Sequence, residues 1–144
     1  MEHKYLKIDI PEGYEIDNEN STFEKIVFKK SAISYTNVLD ELELNHVIIE
    51  LIHVVYSDKQ HKKLNAINRI LNVAKYLNGD WKPDFNSNLD RKYYLYVDGM
   101  NIVRIGYTPR NNISLAYFKS EELAKQAIEI LGEETIKQAF NADY

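Results

Sequence analysis

Between Ser57 and Pro83 apolar residues return at three- and four-residue steps, namely Leu64, Ile67, Ile70, Leu71, Ala74 and Leu77, while Lys62, Asn65, Arg69, Asn72 and Lys75 fill the opposite positions. That period is the signature of an amphipathic helix, with the first set facing a core and the second facing water. Ser57 followed by Gln60 has the spacing of a capping box, in which each side chain satisfies an orphan amide at the helix start. Asn78-Gly79 supplies residues that tolerate a left-handed backbone past the last turn, and Pro83 prevents resumption. The pattern predicts a central helix over 57–79.

Elsewhere the period shortens to two. Lys4 to Ile10 alternates as a strand and is stopped by Pro11-Glu12-Gly13; Tyr14 to Ile16 resumes pairing, and Phe23 to Lys29 has the aromatic and β-branched content of a partner. An N-terminal strand pair within 4–30 is the expectation. Lys92 to Val97 and Met100 to Tyr107 flank Asp98-Gly99, which suits a tight type I′ hairpin turn, and Ile113 to Phe118 adds a third strand to make a meander. Ser120 caps a helix whose buried stripe is Leu123, Ala127, Ile130 and Leu131, and Glu133 to Phe140 continues after Gly132. Thr36 caps a short helix within Ser34 to Leu44 that carries Val38, Leu39 and Leu42 inward. Asn45 to Tyr56 reads two ways: a strand covered on both sides, favoured by its β-branched content, or a helix gathering His46, Glu50 and His53 on one face. The economical assembly is an α+β domain, a mostly antiparallel sheet of about five or six strands with two main helices packed on one face. A single domain over 1–144 is expected, with the meander and its helix occupying 91–140.

Charge and composition narrow the function. With 22 acidic against 18 basic residues and a net charge of −4, no general electrostatic pull on nucleic acid is expected. Only Arg69, Arg91, Arg104 and Arg110 among the bases offer the bidentate fork that suits phosphate. The chain has no cysteine, which removes disulfides and thiolate metal sites. The apolar run Val47 to Tyr56 is far shorter than the roughly 20 residues that span a bilayer, and no leader of signal-peptide form opens the chain. The expected setting is the cytoplasm, without a membrane partner. No phosphate-cradling glycine loop, nucleophile elbow or serine–histidine–acid arrangement is present, and five glycines supply backbone-lined sites poorly. No enzyme activity and no cofactor are expected.

Two constellations carry chemistry. His46, Glu50 and His53 bring two imidazoles and a carboxylate, a weak metal set whose spacing departs from H-E-x-x-H; a metal-dependent enzyme is the third-ranked reading. The second is the tyrosines of the meander, Tyr93, Tyr94, Tyr96, Tyr107 and Tyr117, with Arg104 beside them. Large contact area with a polar tip suits a protein interface, and with Lys92 and Arg110 it suits single-stranded nucleic acid. Cross-strand stabilisation of the sheet explains the same residues without any partner. Acid runs at Asp40, Glu41, Glu43 and at Glu133, Glu134 read as solvated helix faces or as a surface for a basic partner.

Three phrases, IPEGYEIDNENSTFEKIVFKK from Ile10, LNVAKYLNGDWKPDF from Leu71 and YFKSEELAKQAIEILGEETIKQAF from Tyr117, resemble those of a group of small uncharacterised proteins of gut Bacteroidetes and their phages or integrated elements. The resemblance spans about half of the chain and implies a phage or mobile-element origin and nothing catalytic. Asn45 to Tyr56 departs from that group's phrasing, so the His46, Glu50 and His53 set gains nothing from it. The leading expectation is a non-enzymatic protein-binding module that docks on a host or phage protein, inhibiting a host defence component or serving a virion. The alternative is a nucleic-acid-associated accessory protein using the aromatic sheet face.

Overall fold

In the computed structural model, residues 7–42 and 57–140 are described, and they divide between two compact units, Met1–Ile33 and Ser34–Tyr144. The first unit holds a two-stranded antiparallel ribbon, β1 (Tyr14–Ile16) and β2 (Phe28–Lys30), with Glu15 opposite Lys29. That cross-strand pair closes an ion pair at 3.4 Å. The Asp17 carboxylate accepts the amides of Glu19 and Asn20 and the Asn20 side chain, which fixes the polar turn after β1 and holds the carboxyl below its usual range, the Asn20 side chain contributing most. Phe23 to Val27, expected to begin the second strand, instead forms a turn in which Thr22 and Lys25 exchange backbone hydrogen bonds. Residues 7–10 join no ladder, and the rest of the predicted strand Lys4 to Ile10 lies outside the described residues.

The second unit is built on helices. Ser34 caps α1 (Tyr35–Glu41), two residues earlier than the predicted Thr36, because Asn37 completes the capping box from the N3 position. α2 (Asp58–Asn78) starts and stops where its sequence says: Ser57 and Gln60 form the reciprocal cap, and Gly79, at φ 56°, ends it. β3 (Lys92–Val97) and β4 (Val103–Thr108) form the predicted ribbon, followed by α3 (Glu121–Leu131), capped by Ser120, and α4 (Glu133–Phe140). α2 packs against α1, α3 and α4, and the ribbon lies against α3 and α4. The innermost apolar side chains are Val38, Ile70, Val73, Leu95, Phe118 and Ile136, all 2% exposed or less. Each such side chain contributes roughly 1.5–3 kcal/mol by leaving water.

This architecture overturns the expected sheet of five or six strands with two main helices. The described residues contain four helices and two separate two-stranded ribbons, and helix dominates. The third meander strand fails for a local reason. The Tyr117 hydroxyl takes the amides of Ile113 and Ser114, and the Ser114 hydroxyl donates to Leu95 O, so this segment satisfies its backbone without a ladder. Only Phe118 bridges β3, exchanging backbone hydrogen bonds with Tyr93. The hairpin turn also differs from the expected two-residue type. Asp98 bonds Ile102 across a three-residue loop, and Asn101, at φ 60°, takes the left-handed position that Gly99 was expected to provide. Asn45 to Tyr56 lies outside the described residues.

The buried face of α2 is turned from the predicted one. Ala66, Ile70, Val73 and Ala74 are buried, whereas Leu64 and Leu71 remain 46% and 45% exposed. Part of the face predicted to be wet is covered by α1: the Arg69 guanidinium stacks 4.5 Å above the Tyr35 ring, and Asn72 Nδ2 donates to the Tyr35 hydroxyl at 3.0 Å. Cation–π attraction and a side-chain hydrogen bond thus seat α1 on residues that a two-sided reading assigns to solvent.

Lys92, expected as a surface cation, is only 1% exposed. Its ammonium donates to Ser87 O and Pro109 O, both at 2.8 Å, with the Phe85 ring 6.0 Å away. It therefore ties the loop before β3 to the chain leaving β4. Lys92→Met, which keeps the stem and removes the donors, should lower stability by roughly 1–3 kcal/mol in urea titration, because two carbonyls lose their partner. An unchanged midpoint would refute this role.

Candidate functional site

The ribbon places its tyrosines on two faces, as strand alternation requires. Tyr93 and Tyr107 are opposite each other, rings 6.2 Å apart, on the face that carries the buried Leu95. Arg91 lies 4.6 Å above the Tyr107 ring, which is 56% exposed. On the other face Tyr94 contacts Tyr96 at 5.9 Å and Tyr117 at 6.1 Å, and Phe85 meets Tyr117 edge-on at 5.0 Å. Tyr94 lies across Gly106, where an added Cβ would sit 2.7 Å from the ring, so glycine is required for that close approach.

Tyr117 is 7% exposed, and its hydroxyl organises the 111–114 turn, so its ring is part of the interior. Arg104 Nε donates to Asp98 at 3.1 Å, and Arg110 donates to Asn88. The amide of Ile102, then Arg104 and the Met100 amide, hold the Asp98 carboxyl below its usual range. The predicted aromatic and basic residues are therefore brought near one another but engaged mainly with their own neighbours; Tyr96 and Tyr107 are the exposed tyrosines among them, and Arg104 and Arg110 are exposed as well. Of the acid runs, Glu133 and Glu134 both pair with Lys137. His46, Glu50 and His53 lie outside the described residues, and among the described residues no group of three or more His, Asp or Glu is placed to hold a metal.

The feature that the sequence left unassigned is the turn after α2. Asn78 Nδ2 donates to Tyr117 O at 2.7 Å, the amide of Lys119 donates to Asn78 Oδ1 at 3.1 Å, and the amide of Trp81 donates to Asn78 O at 3.1 Å. The Asn78 side chain thus locks the end of α2 to the segment before α3, while its backbone carbonyl accepts the amide of Trp81, which lines two clefts. The first, about 670 Å³, runs over Leu71, Ala74, Trp81, Pro83, Leu115 and Ala116, and its charged lining residues are Lys75, Asp80 and Lys82. Leu71 and Leu115 are 45% and 39% exposed there. The second, about 560 Å³, lies between Trp81, Arg91, Tyr93, Lys119 and the start of α3. At that helix start the backbone amide of Glu122 and the Ser120 hydroxyl stabilise the Glu122 carboxylate and hold its pKa below the usual range. The helix end is thereby occupied by its own acid.

The groove was partly legible: the lone tryptophan after a helix stop and Leu71 in the periodic stripe were its signals. What hid it was the assumption that every periodic leucine faces the core. Asn78→Ala should cost roughly 1–3 kcal/mol and broaden and red-shift the emission of Trp81, the single tryptophan of the chain. Emission identical to wild type in the folded variant would show that Asn78 does not hold the turn.

No protein-family model, curated protein or solved structure matches this chain. Among the described residues, no helix is long and apolar enough to cross a membrane.

Proposed function

We propose that this chain is a non-enzymatic protein-binding module that docks through the groove beside Trp81. The observation that carries this reading is the open apolar surface formed by Leu71, Trp81, Pro83 and Leu115 on a scaffold fixed by Asn78. Rigid apolar anchors with a tryptophan at the centre are the usual source of binding energy at protein interfaces, and their cost in lost freedom is small because they are already held. Of the groups on which the nucleic-acid alternative relies, Lys92 and Tyr117 are buried, Arg104 is paired with Asp98 and Arg110 is bonded to Asn88, which leaves Tyr96 and Tyr107 as its exposed rings.

The setting we propose follows the resemblance of the three sequence phrases to proteins of gut Bacteroidetes and their phages: an accessory protein acting in the host cytoplasm, on a host or phage protein, as an inhibitor of a host defence component or in a virion. Affinity capture from such a host, run in parallel with wild type and with Leu71→Glu, tests the docking surface. A protein retained at least about tenfold better by wild type, and binding it one-to-one when purified, is the expected result. Equal retention by a folded Leu71→Glu variant would remove the groove from the account.

A further inference from the structure

The groove carries information about its occupant as well as its presence. Its apolar lining is aliphatic and aromatic, and its charged lining residues are Lys75, Lys82 and Asp80. Among the described residues neither lysine has a carboxylate partner, whereas Lys29, Lys125 and Lys137 are each paired. In a chain of net charge −4, two ammonium groups with no carboxylate partner among the described residues, and one carboxylate, Asp80, thus line this open apolar surface. Lys75 stands in the last turn of α2 and Lys82 three residues beyond Gly79, and both line the groove together with Trp81.

We propose, building on the docking reading above, that the groove takes a short peptide segment of a partner protein whose apolar side chains are flanked by carboxylates. The apolar side chains lie on Leu71, Leu115 and Trp81, and the carboxylates meet Lys75 and Lys82. Complementary charge sets the register and suppresses basic partners, while the buried apolar contacts supply most of the affinity. Nucleic acid fits less well: the walls are mainly aliphatic, no arginine lines the groove, and two lysines with an intervening aspartate make a poor phosphate track. A second copy of this acidic chain is the remaining occupant, and the test separates it.

Trp81 reports directly, since no other tryptophan contributes emission. The full chain is titrated with a tryptophan-free amphipathic peptide of leucine and glutamate, with the same peptide carrying lysine for glutamate, and with oligothymidylate. The proposal expects a saturable blue shift with the acidic peptide, binding at least about tenfold weaker for the basic one, and a loss of about fivefold or more in Lys75→Glu/Lys82→Glu, with a smaller loss in Lys75→Gln/Lys82→Gln. The acidic-peptide affinity should also fall as salt rises.

Absence of any saturable shift, equal binding of the basic peptide, or equal binding by the charge-reversed variant overturns the proposal. A shift with oligothymidylate alone assigns the groove to nucleic acid, and a dimer in sedimentation that Leu71→Glu dissolves assigns it to a second copy. If a captured protein is lost by Leu71→Glu but kept by Lys75→Glu/Lys82→Glu, docking stands and the acidic occupant falls.

Discussion

The structure of the second unit depends on how α2 is covered. A 21-residue helix presents more apolar surface than one neighbour takes up, and here α3 and α4 together with α1 share it. Ile70 and Val73 lose almost all contact with water. Arg69 and Asn72, on another side, are engaged by Tyr35 of α1. Covering those two sides leaves Leu64 and Leu71 on a third, and no described element is packed closely enough to bury them. The groove is thus a consequence of where the helix finds its partners, and not of any special residue within it.

The same helix positions the groove's other wall. Because α2 ends at Gly79, the next residues turn back, and Asn78 fastens that turn to Tyr117 and Lys119. Tyr117 in turn holds the 111–114 segment, which brings Leu115 alongside Leu71 at the cleft. The backbone of Trp81 is tied into that turn by its amide, which donates to Asn78 O. A surface tryptophan held this way loses little freedom on binding, which is the energetic argument for treating it as an anchor.

Boundaries were legible in the sequence wherever a cap dictated them: Ser57 with Gln60, Ser120, Gly79 and Gly132 all act as their residue types require. The β3–β4 ribbon was also readable from its alternation, although Asn101 and not Gly99 supplies the left-handed residue. What failed was everything that depends on which neighbour a residue meets. Lys92 looked like a surface cation because nothing local announces two carbonyls converging on its ammonium. Ile113 to Phe118 looked like a strand because a tyrosine hydroxyl that captures two amides leaves no trace in periodicity. Leu71 shared the period of the core residues, and only tertiary packing distinguishes it from Ile70.

That last contrast is also the sharpest test. Ile70 and Leu71 are adjacent and similarly apolar, and they point about 100° apart around the helix, where they are 2% and 45% exposed. Urea unfolding of Ile70→Ala and Leu71→Ala compares them directly. The account predicts a loss of roughly 2–5 kcal/mol for Ile70→Ala and less than about 1 kcal/mol for Leu71→Ala. Equal losses, or a larger one at Leu71, would mean that α2 buries the face described here as open, and the groove would not exist.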